Sequence, residues 1–181
     1  MIEAHRLRDL LKNVPHRPDE PLPSGVGNDQ CDRFSARTGI ALPDELREWL
    51  KLSNGPCVGP GGLYGIETYR KHLDIEMYLA LFPSWRTKGW IPIAGDGCGN
   101  HYVVATRQEY GEGFPVLFVD CGNDPESPAF IAASSIGHFL KFLLEKELRV
   151  SGGPFDEVRV VQADPEIRRF QGVAPPWEDK R

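Results

Sequence analysis

Residues 90–104 read WIPIAGDGCGNHYVV, two β-rich runs on either side of a polar, glycine-rich segment. The dipeptide Asp96-Gly97 lies between the runs, and it favours a two-residue turn with positive φ. Gly95 and Gly99 would relieve crowding at the strand ends or mark a bulge. The stretch therefore predicts a tight β-hairpin.

Dinucleotide binding is a poor explanation of the same glycines. They fall at 95, 97 and 99, whereas the GxGxxG fingerprint requires a glycine where this chain has Asn100. The segment also leads into a strand, so no helix N-terminus is available for a pyrophosphate. A hydrolase that uses Asp96, His101 and Glu67 remains an alternative, although no motif-borne nucleophile accompanies them.

The cysteines do not form a specific metal motif. They stand far apart without a CxxC pair, at Cys31, Cys57, Cys98 and Cys121. Cys98 and His101 have a C-x-x-H spacing that Cys121 could extend, but a tetrahedral zinc site needs four converging ligands. We therefore expect no metal and no cofactor, and free thiols in a reducing compartment.

The spacing of apolar residues predicts five main helices. They cover approximately residues 2–13, 31–38, 43–53, 73–82 and 134–147. The third is the best defined, because Pro43 suits its first position and Asn54-Gly55 ends it. Its core-facing stripe consists of Leu42, Leu46, Trp49 and Leu50.

Strands are expected where β-rich runs are bounded by glycine or proline. These runs are LYGIE (63–67), WIPIA (90–94), HYVVAT (101–106), PVLFVDC (115–121) and EVRVV (157–161). Helices, then a meander of strands, then a helix indicate an α+β fold, a single domain with a mainly antiparallel sheet supported by helices. We divide the chain into an N-terminal helix with a proline-rich strap (1–27), a central domain (28–147) and a C-terminal extension (148–181).

Most large apolar residues are expected in the core of this domain. Examples are Leu42, Trp49, Ile93, Val103, Phe118 and Leu140, and core is also favoured for Trp90. Trp85 differs, because its neighbours are polar or helix-breaking. Aromatic anchors inside a polar rim are typical of protein interfaces, so Trp85 is a candidate contact residue.

The charge of the chain favours a protein partner over nucleic acid. Its formal net charge is −5 at pH 7, whereas phosphate binding requires an excess of Lys and Arg. Between Asp74 and Glu126, eight acidic residues stand against three basic ones, a difference of five. This stretch is either a solvated surface or a docking face for a basic partner, with candidate contacts at Asp96, Glu109, Glu112 and Glu126.

The N-terminal sequence MIEAHRLRDLLKNV predicts a helix rather than a secretion signal, because it contains Glu3 and lacks a sufficiently long apolar core. No stretch of the chain has the apolar length that is needed to span a bilayer. We therefore expect a cytoplasmic protein without a membrane partner.

Several stretches, in their order along the chain, resemble the SMI1/KNR4 family of the SUKH superfamily. They are LPDELREWLKLSNG, a glycine-rich strand entry, WIPIAGDGCGNHYVV, VLFVDCG and a Phe/Leu-rich closing helix. The resemblance covers about residues 28–147. The matching positions are Leu42, Pro43, Asn54, Gly55, Trp90, Ile93, Asp96, Gly97, Gly99, Asn100 and Asp120.

The resemblance implies an α+β fold without a catalytic residue set or cofactor, so we expect no enzymatic activity. Many bacterial members are immunity proteins that neutralise a cognate polymorphic toxin by direct binding, and fungal relatives are interaction hubs in cell-wall signalling. The leading hypothesis is therefore an immunity protein for a basic toxin domain. A scaffold or regulatory module without a toxin is the alternative.

Overall fold

The computed structural model describes residues 4–15 and 21–178. Within them the helices are α1 (Ala4–Asn13), α2 (Asn28–Thr38), α3 (Asp44–Leu52), α4 (Ile75–Leu81), α5 (Ser84–Lys88), α6 (Ile136–Glu147) and α7 (Glu157–Ala163). The strands are β1 (Trp90–Gly95), β2 (His101–Ala105), β3 (Val116–Val119) and β4 (Phe130–Ala133). Residues 2 and 3 of the first predicted helix, 16–20 of the strap and 179–181 of the extension lie outside the described residues.

The four strands form one antiparallel sheet in the order β1-β2-β3-β4. Successive side chains of a strand point to opposite faces, and both faces of this sheet are covered by helices. On one face, Tyr102 contacts Phe139 of α6, with 4.7 Å between the ring centroids. On the other, His101 contacts Trp85 of α5 at 5.7 Å. The predicted α+β class with an antiparallel sheet is confirmed.

Two predicted strands are wrong. LYGIE contributes only isolated bridges, between Leu63 and Ala94 and between Gly65 and Asp74. EVRVV lies in α7 instead, because the side chain of Asp156 caps the helix by accepting a hydrogen bond from the Arg159 N–H at 3.2 Å. The short helix α5 was not predicted, since a single turn is too short to show a period.

Residues from both ends of the chain enter the same hydrophobic core as the sheet. Leu7 and Leu11 of α1 are buried in it, and so are Val160, Ile167 and Phe170 of the C-terminal extension. The core predictions are confirmed for Leu42, Trp49, Ile93, Val103, Leu140 and Trp90, whereas Phe118 is only partly buried.

The extension also pairs with the outer strand of the sheet and with the start of α6. The Ile131 N–H of β4 donates to the Ala174 carbonyl at 3.0 Å. Asp164, which is fully buried, accepts hydrogen bonds from the Ser134 N–H at 2.7 Å and from the Ser134 hydroxyl. The extension is therefore attached by polar contacts as well as by apolar ones.

Candidate functional site

The predicted hairpin is present, but its turn is longer than two residues. Gly95 pairs with His101, and the Asp96 N–H donates to the Asn100 carbonyl at 3.1 Å. Gly97 and Gly99 both have positive φ, at 80° and 98°. The two-residue Asp96-Gly97 turn is therefore wrong, and Asp96–Asn100 form the connection.

The Asp96 carboxylate organises this connection from within. Its Oδ1 accepts from the N–H groups of Cys98, at 2.7 Å, and Asn100, at 3.0 Å, while Oδ2 accepts from the Asn100 amide at 2.8 Å. Although burial opposes ionisation, these hydrogen bonds lower the pKa of Asp96 below its ordinary value. The proposed partner contact at Asp96 is thus already engaged inside the protein.

Asn100 and Asp120 extend the same arrangement to the next connection. Asn100 Oδ1 accepts from the Cys121 N–H at 3.1 Å, which joins the β1–β2 and β3–β4 connections. Asp120 Oδ1 accepts from the N–H groups of Gly122 and Asn123, both at 3.2 Å. These polar residues at one end of the sheet have a structural role in the fold.

His101, Asp96 and Glu67 do not form the relay that the hydrolase alternative requires. His101 is buried, and its Nδ1 lies 2.8 Å from the Tyr64 hydroxyl. Burial lowers the pKa of His101 to about 4. Glu67 pairs with Arg37 at 2.7 Å, so each of the three groups has a different partner.

The thiol groups give no metal site in the described part of the chain. Across 4–15 and 21–178, no group of three or more His, Cys, Asp or Glu residues could hold a metal ion. Cys98 is exposed, and burial raises the pKa of the partly buried Cys121 to about 11. Cys98, His101 and Cys121 therefore do not converge as ligands.

Trp85 is not a surface anchor, and that prediction is wrong. Its side chain is fully buried, stacks on Phe82 at 4.3 Å between centroids, and donates from Nε1 to the Pro125 carbonyl at 2.9 Å. The polar neighbours of Trp85 belong to the outer side of α5. The polar residues next to Trp85 in the sequence therefore lie on the solvent-facing side of α5, opposite the buried indole.

The candidate acidic contacts lie on three separate connections. Asp96 lies in the β1–β2 connection, while Glu109 and Glu112 lie in the β2–β3 connection at the opposite end of those strands. Glu109 accepts from the Trp90 indole N–H at 2.8 Å. Glu126, in the β3–β4 connection, pairs with Lys88 at 2.9 Å. The structure therefore places Glu109 and Glu112 at the opposite end of the sheet from Asp96 and Glu126.

The loop of residues 66–70, termed here the Tyr69 loop, forms a surface of which the sequence predicted only Glu67 as a candidate site residue. The Asn54 side chain accepts from the Ile66 N–H and donates to the Ile66 carbonyl, both at 2.8 Å. Asp74 accepts from the Thr68 N–H at 2.9 Å, and the Thr68 hydroxyl donates to the Arg70 carbonyl at 2.8 Å. Side chains thus fix the loop at several points.

Glu67 has an unusual backbone conformation in this loop, with φ of 53°. A non-glycine residue in this region carries backbone strain that the surroundings must compensate. Here Arg37 of α2 donates to Glu67 at 2.7 Å, and this hydrogen bond lowers the pKa of Glu67. Arg33 of the same helix lies 3.6 Å away.

The loop presents Tyr69, whose side chain is 81% exposed. The Arg70 guanidinium lies 5.3 Å from the centre of the Tyr69 ring. Beside the loop is a cleft of about 750 Å³, and its other walls include Leu22, Cys57 and Glu147. An exposed aromatic residue on a fixed loop beside a cleft is an arrangement suited to protein binding.

Sequence reasoning missed Tyr69 because an exposed loop residue adds nothing to a helical or strand period. The available signal was indirect. Asn54 belongs to the matching positions of the resemblance, and its side chain is the one that holds Ile66 at the start of the loop.

A comparison with curated proteins found no match. Among the helices of the described residues, none is both long and apolar enough to cross a membrane.

The family comparison agrees with the α+β fold and with the resemblance described above. The model of the SMI1 / KNR4 family (SUKH-1) matches residues 25–141, well over half of the chain. The matched part runs from before α2 into α6 and includes the whole sheet, the Asp96–Asn100 connection and the Tyr69 loop. The chain therefore belongs to the SMI1/KNR4 family (SUKH-1).

Proposed function

We propose that this protein is a cytoplasmic immunity protein that neutralises a cognate toxin by binding it directly. Membership of the SMI1/KNR4 family supports a protein-binding role. The single observation that carries the proposal is the Tyr69 loop, a fixed loop with a largely exposed tyrosine beside a large cleft.

The hydrogen bonds of the loop favour tight binding because they are formed before the partner arrives. Ordering a flexible loop costs free energy on association, and a loop that is already ordered avoids that cost. Asn54, Asp74 and Arg37 provide this order. Tyrosine and arginine are also enriched among the residues that dominate binding energies, and both are adjacent here.

The overall charge supports a toxin domain with a basic surface as the partner. A protein of net charge −5 attracts a basic protein at long range, and exposed acids such as Glu112 contribute to that attraction. Such charges act mainly on the association rate, whereas buried contacts set the dissociation rate. We assign to Tyr69 the buried contact that sets the dissociation rate.

The test is to identify any toxin domain encoded beside the gene, to co-express it with the protein, and to measure cell survival and the Kd of the purified pair. Replacing Tyr69 by Ala should raise the Kd by roughly tenfold or more, mainly through faster dissociation, without changing the Tm. Leu81→Ala is the matched control, because Leu81 is 62% exposed on α4.

Equal affinities of the Tyr69→Ala variant and the wild type would remove the Tyr69 loop from the interface. If the adjacent toxin neither binds nor is neutralised, the immunity role fails. A stable partner of another kind would then favour the scaffold alternative.

A further inference from the structure

A second surface, which shares no residue with the cleft beside the Tyr69 loop, is a groove of about 370 Å³ that three separate segments form. Its floor contains Ile40 and Leu42 of the α2–α3 connection, both buried. Its walls contain Arg86 of α5 and Arg107 of the β2–β3 connection, together with Phe114, which is 42% exposed. We propose that this groove, the Arg86–Arg107 groove, binds an acidic segment of a partner protein.

The two arginines carry the inference because their charges are not neutralised. Both side chains are exposed, and neither forms a hydrogen bond or ion pair with another described residue. By contrast, Arg37 and Arg47 each contact a carboxylate. Asp44 is the one acid among the residues that line the groove, so the groove has a net positive charge although the chain carries −5.

The position of Arg107 is fixed by the turn after α5. The Thr106 N–H and hydroxyl both donate to the Gly89 carbonyl, at 2.9 and 2.7 Å. Gly89 has φ of 68°, and a Cβ at this position would lie 3.0 Å from Arg107 Cγ. The side chain of Arg107 therefore packs against a glycine that leaves room for it, which reduces the ordering required when a carboxylate binds.

The chemistry of the groove favours an acidic peptide segment over nucleic acid. A guanidinium binds a carboxylate through two parallel hydrogen bonds, and Phe114 offers an apolar contact beside it. The net charge of −5 on the chain instead opposes a long polyanion such as a phosphate backbone. A short acidic peptide segment needs to complement only the groove itself, so it avoids most of this repulsion.

The inference rests on the proposed function only in taking the partner to be a protein. A toxin domain that is basic overall could be attracted by the net charge and then oriented by one acidic segment in the groove. The Arg86–Arg107 groove would then determine which face of the partner is bound.

The experiment uses the full chain and measures fluorescence anisotropy at low salt with three labelled probes. The first is a dodecapeptide that combines Glu and Asp with Leu and Phe. The second is the same peptide with Lys in place of each acid, and the third is a single-stranded DNA dodecamer. The acidic peptide should bind, and the Arg86→Glu/Arg107→Glu variant should weaken this binding by roughly tenfold or more.

Arg8→Glu is the matched control for each single reversal, Arg86→Glu or Arg107→Glu, because Arg8 is also an exposed arginine, on α1, and each of the three changes the net charge by the same amount. It should change the affinity less than about twofold, since it alters the net charge but not the groove. If the double reversal fails to fold, as judged by its thermal melt, Arg86→Gln and Arg107→Gln replace it.

Three outcomes would overturn the inference. They are absence of acidic peptide binding, equal loss of binding in the Arg8 and groove variants, and tighter groove-dependent binding of the DNA, which would make nucleic acid the occupant. Because no probe is a toxin, peptide binding without toxin neutralisation would refute the immunity role and leave the groove assignment intact.

Discussion

Trp85 shows that the polarity of neighbouring residues does not determine whether a side chain is buried. Ser84 and Lys88 on the same helix bond to Glu126, and the preceding residue, Pro125, accepts the hydrogen bond of the Trp85 indole N–H. The polar sequence around Trp85 thus describes a solvent-facing layer, with the tryptophan under it. Only the tertiary position of α5 against β1 and β2 reveals this arrangement.

We predict that Trp85→Ala destabilises the protein by about 3–5 kcal/mol, because it removes a fully buried ring and leaves the Pro125 carbonyl without its donor. Urea unfolding monitored by circular dichroism measures the change. Tyr69→Ala is the control and should change the free energy of unfolding by less than about 0.5 kcal/mol, since its side chain is largely exposed. Similar stabilities of the Trp85→Ala variant and the wild type would contradict the packing described for α5.

The polar positions of the family resemblance were found from the sequence, but their roles were not. The side-chain oxygens of Asn54, Asp96 and Asn100 all hold loops by accepting hydrogen bonds from backbone N–H groups. Such partners depend on loop shape, which a residue pattern does not specify. Arg86 and Tyr69 were not predicted as site residues, because exposed side chains do not contribute to the apolar periodicity on which the sequence predictions rest.

At the scale of elements, long periodic segments were predictable and short ones were not. The predictions near α3 and α6 are confirmed because a helix of two or more turns repeats its buried stripe. Helix α7 has one fully buried residue, Val160, so its valines resembled a strand more than a helix. The cap at Asp156 favours the helix here. Because a cap is a single residue, it gives no repeating pattern in the sequence.

The hairpin connection gives a test in which two glycines are compared. Gly97 and Gly99 both have positive φ, but a Cβ on Gly97 would lie 2.9 Å from the Pro60 carbonyl oxygen, whereas a Cβ on Gly99 meets nothing within 4 Å. Gly99→Ala should therefore cost about 1 kcal/mol through backbone strain alone. Gly97→Ala should cost about 2–3 kcal/mol, because the backbone around Pro60 must also move.

Thermal and urea unfolding of the two variants measure this difference. Equal costs for both substitutions would show that the contact between Gly97 and Pro60 does not restrict the connection. A neutral effect in both variants would contradict the positive φ values themselves.

At the scale of the whole molecule, the family match and the hydrophobic core have different extents. The match covers residues 25–141, whereas the core continues into the C-terminal extension through Val160, Ile167 and Phe170. The division at residue 148 follows the resemblance, and apolar contacts cross it. A sequence pattern that ends at one residue does not require the packing to end there.

We predict that a chain ending at Ser151 is largely unfolded. It lacks the buried side chains of Val160, Ile167 and Phe170, which together contribute roughly 5 kcal/mol or more, comparable with the stability of a marginally stable domain. It also leaves the Ser134 N–H without its Asp164 acceptor. Circular dichroism and the dispersion of amide signals in NMR spectra measure the loss of structure.

A matched pair of substitutions separates the effect of packing from that of chain length. Val160→Ala, at a fully buried position of α7, should cost about 2 kcal/mol, whereas Val158→Ala, at a position 69% exposed, should be nearly neutral. A cooperative unfolding transition at the wild-type Tm in the shortened chain would refute the prediction.

The pairing of Ile131 with Ala174 has a consequence for synthesis on the ribosome. The chain is made from its N-terminus, so all four strands emerge before the segment that covers the outer edge of β4. During that interval β4 exposes an unpaired strand edge, the kind of surface on which nascent chains associate with one another. Translation speed over the last residues, and the availability of a chaperone, would then govern the yield of native protein.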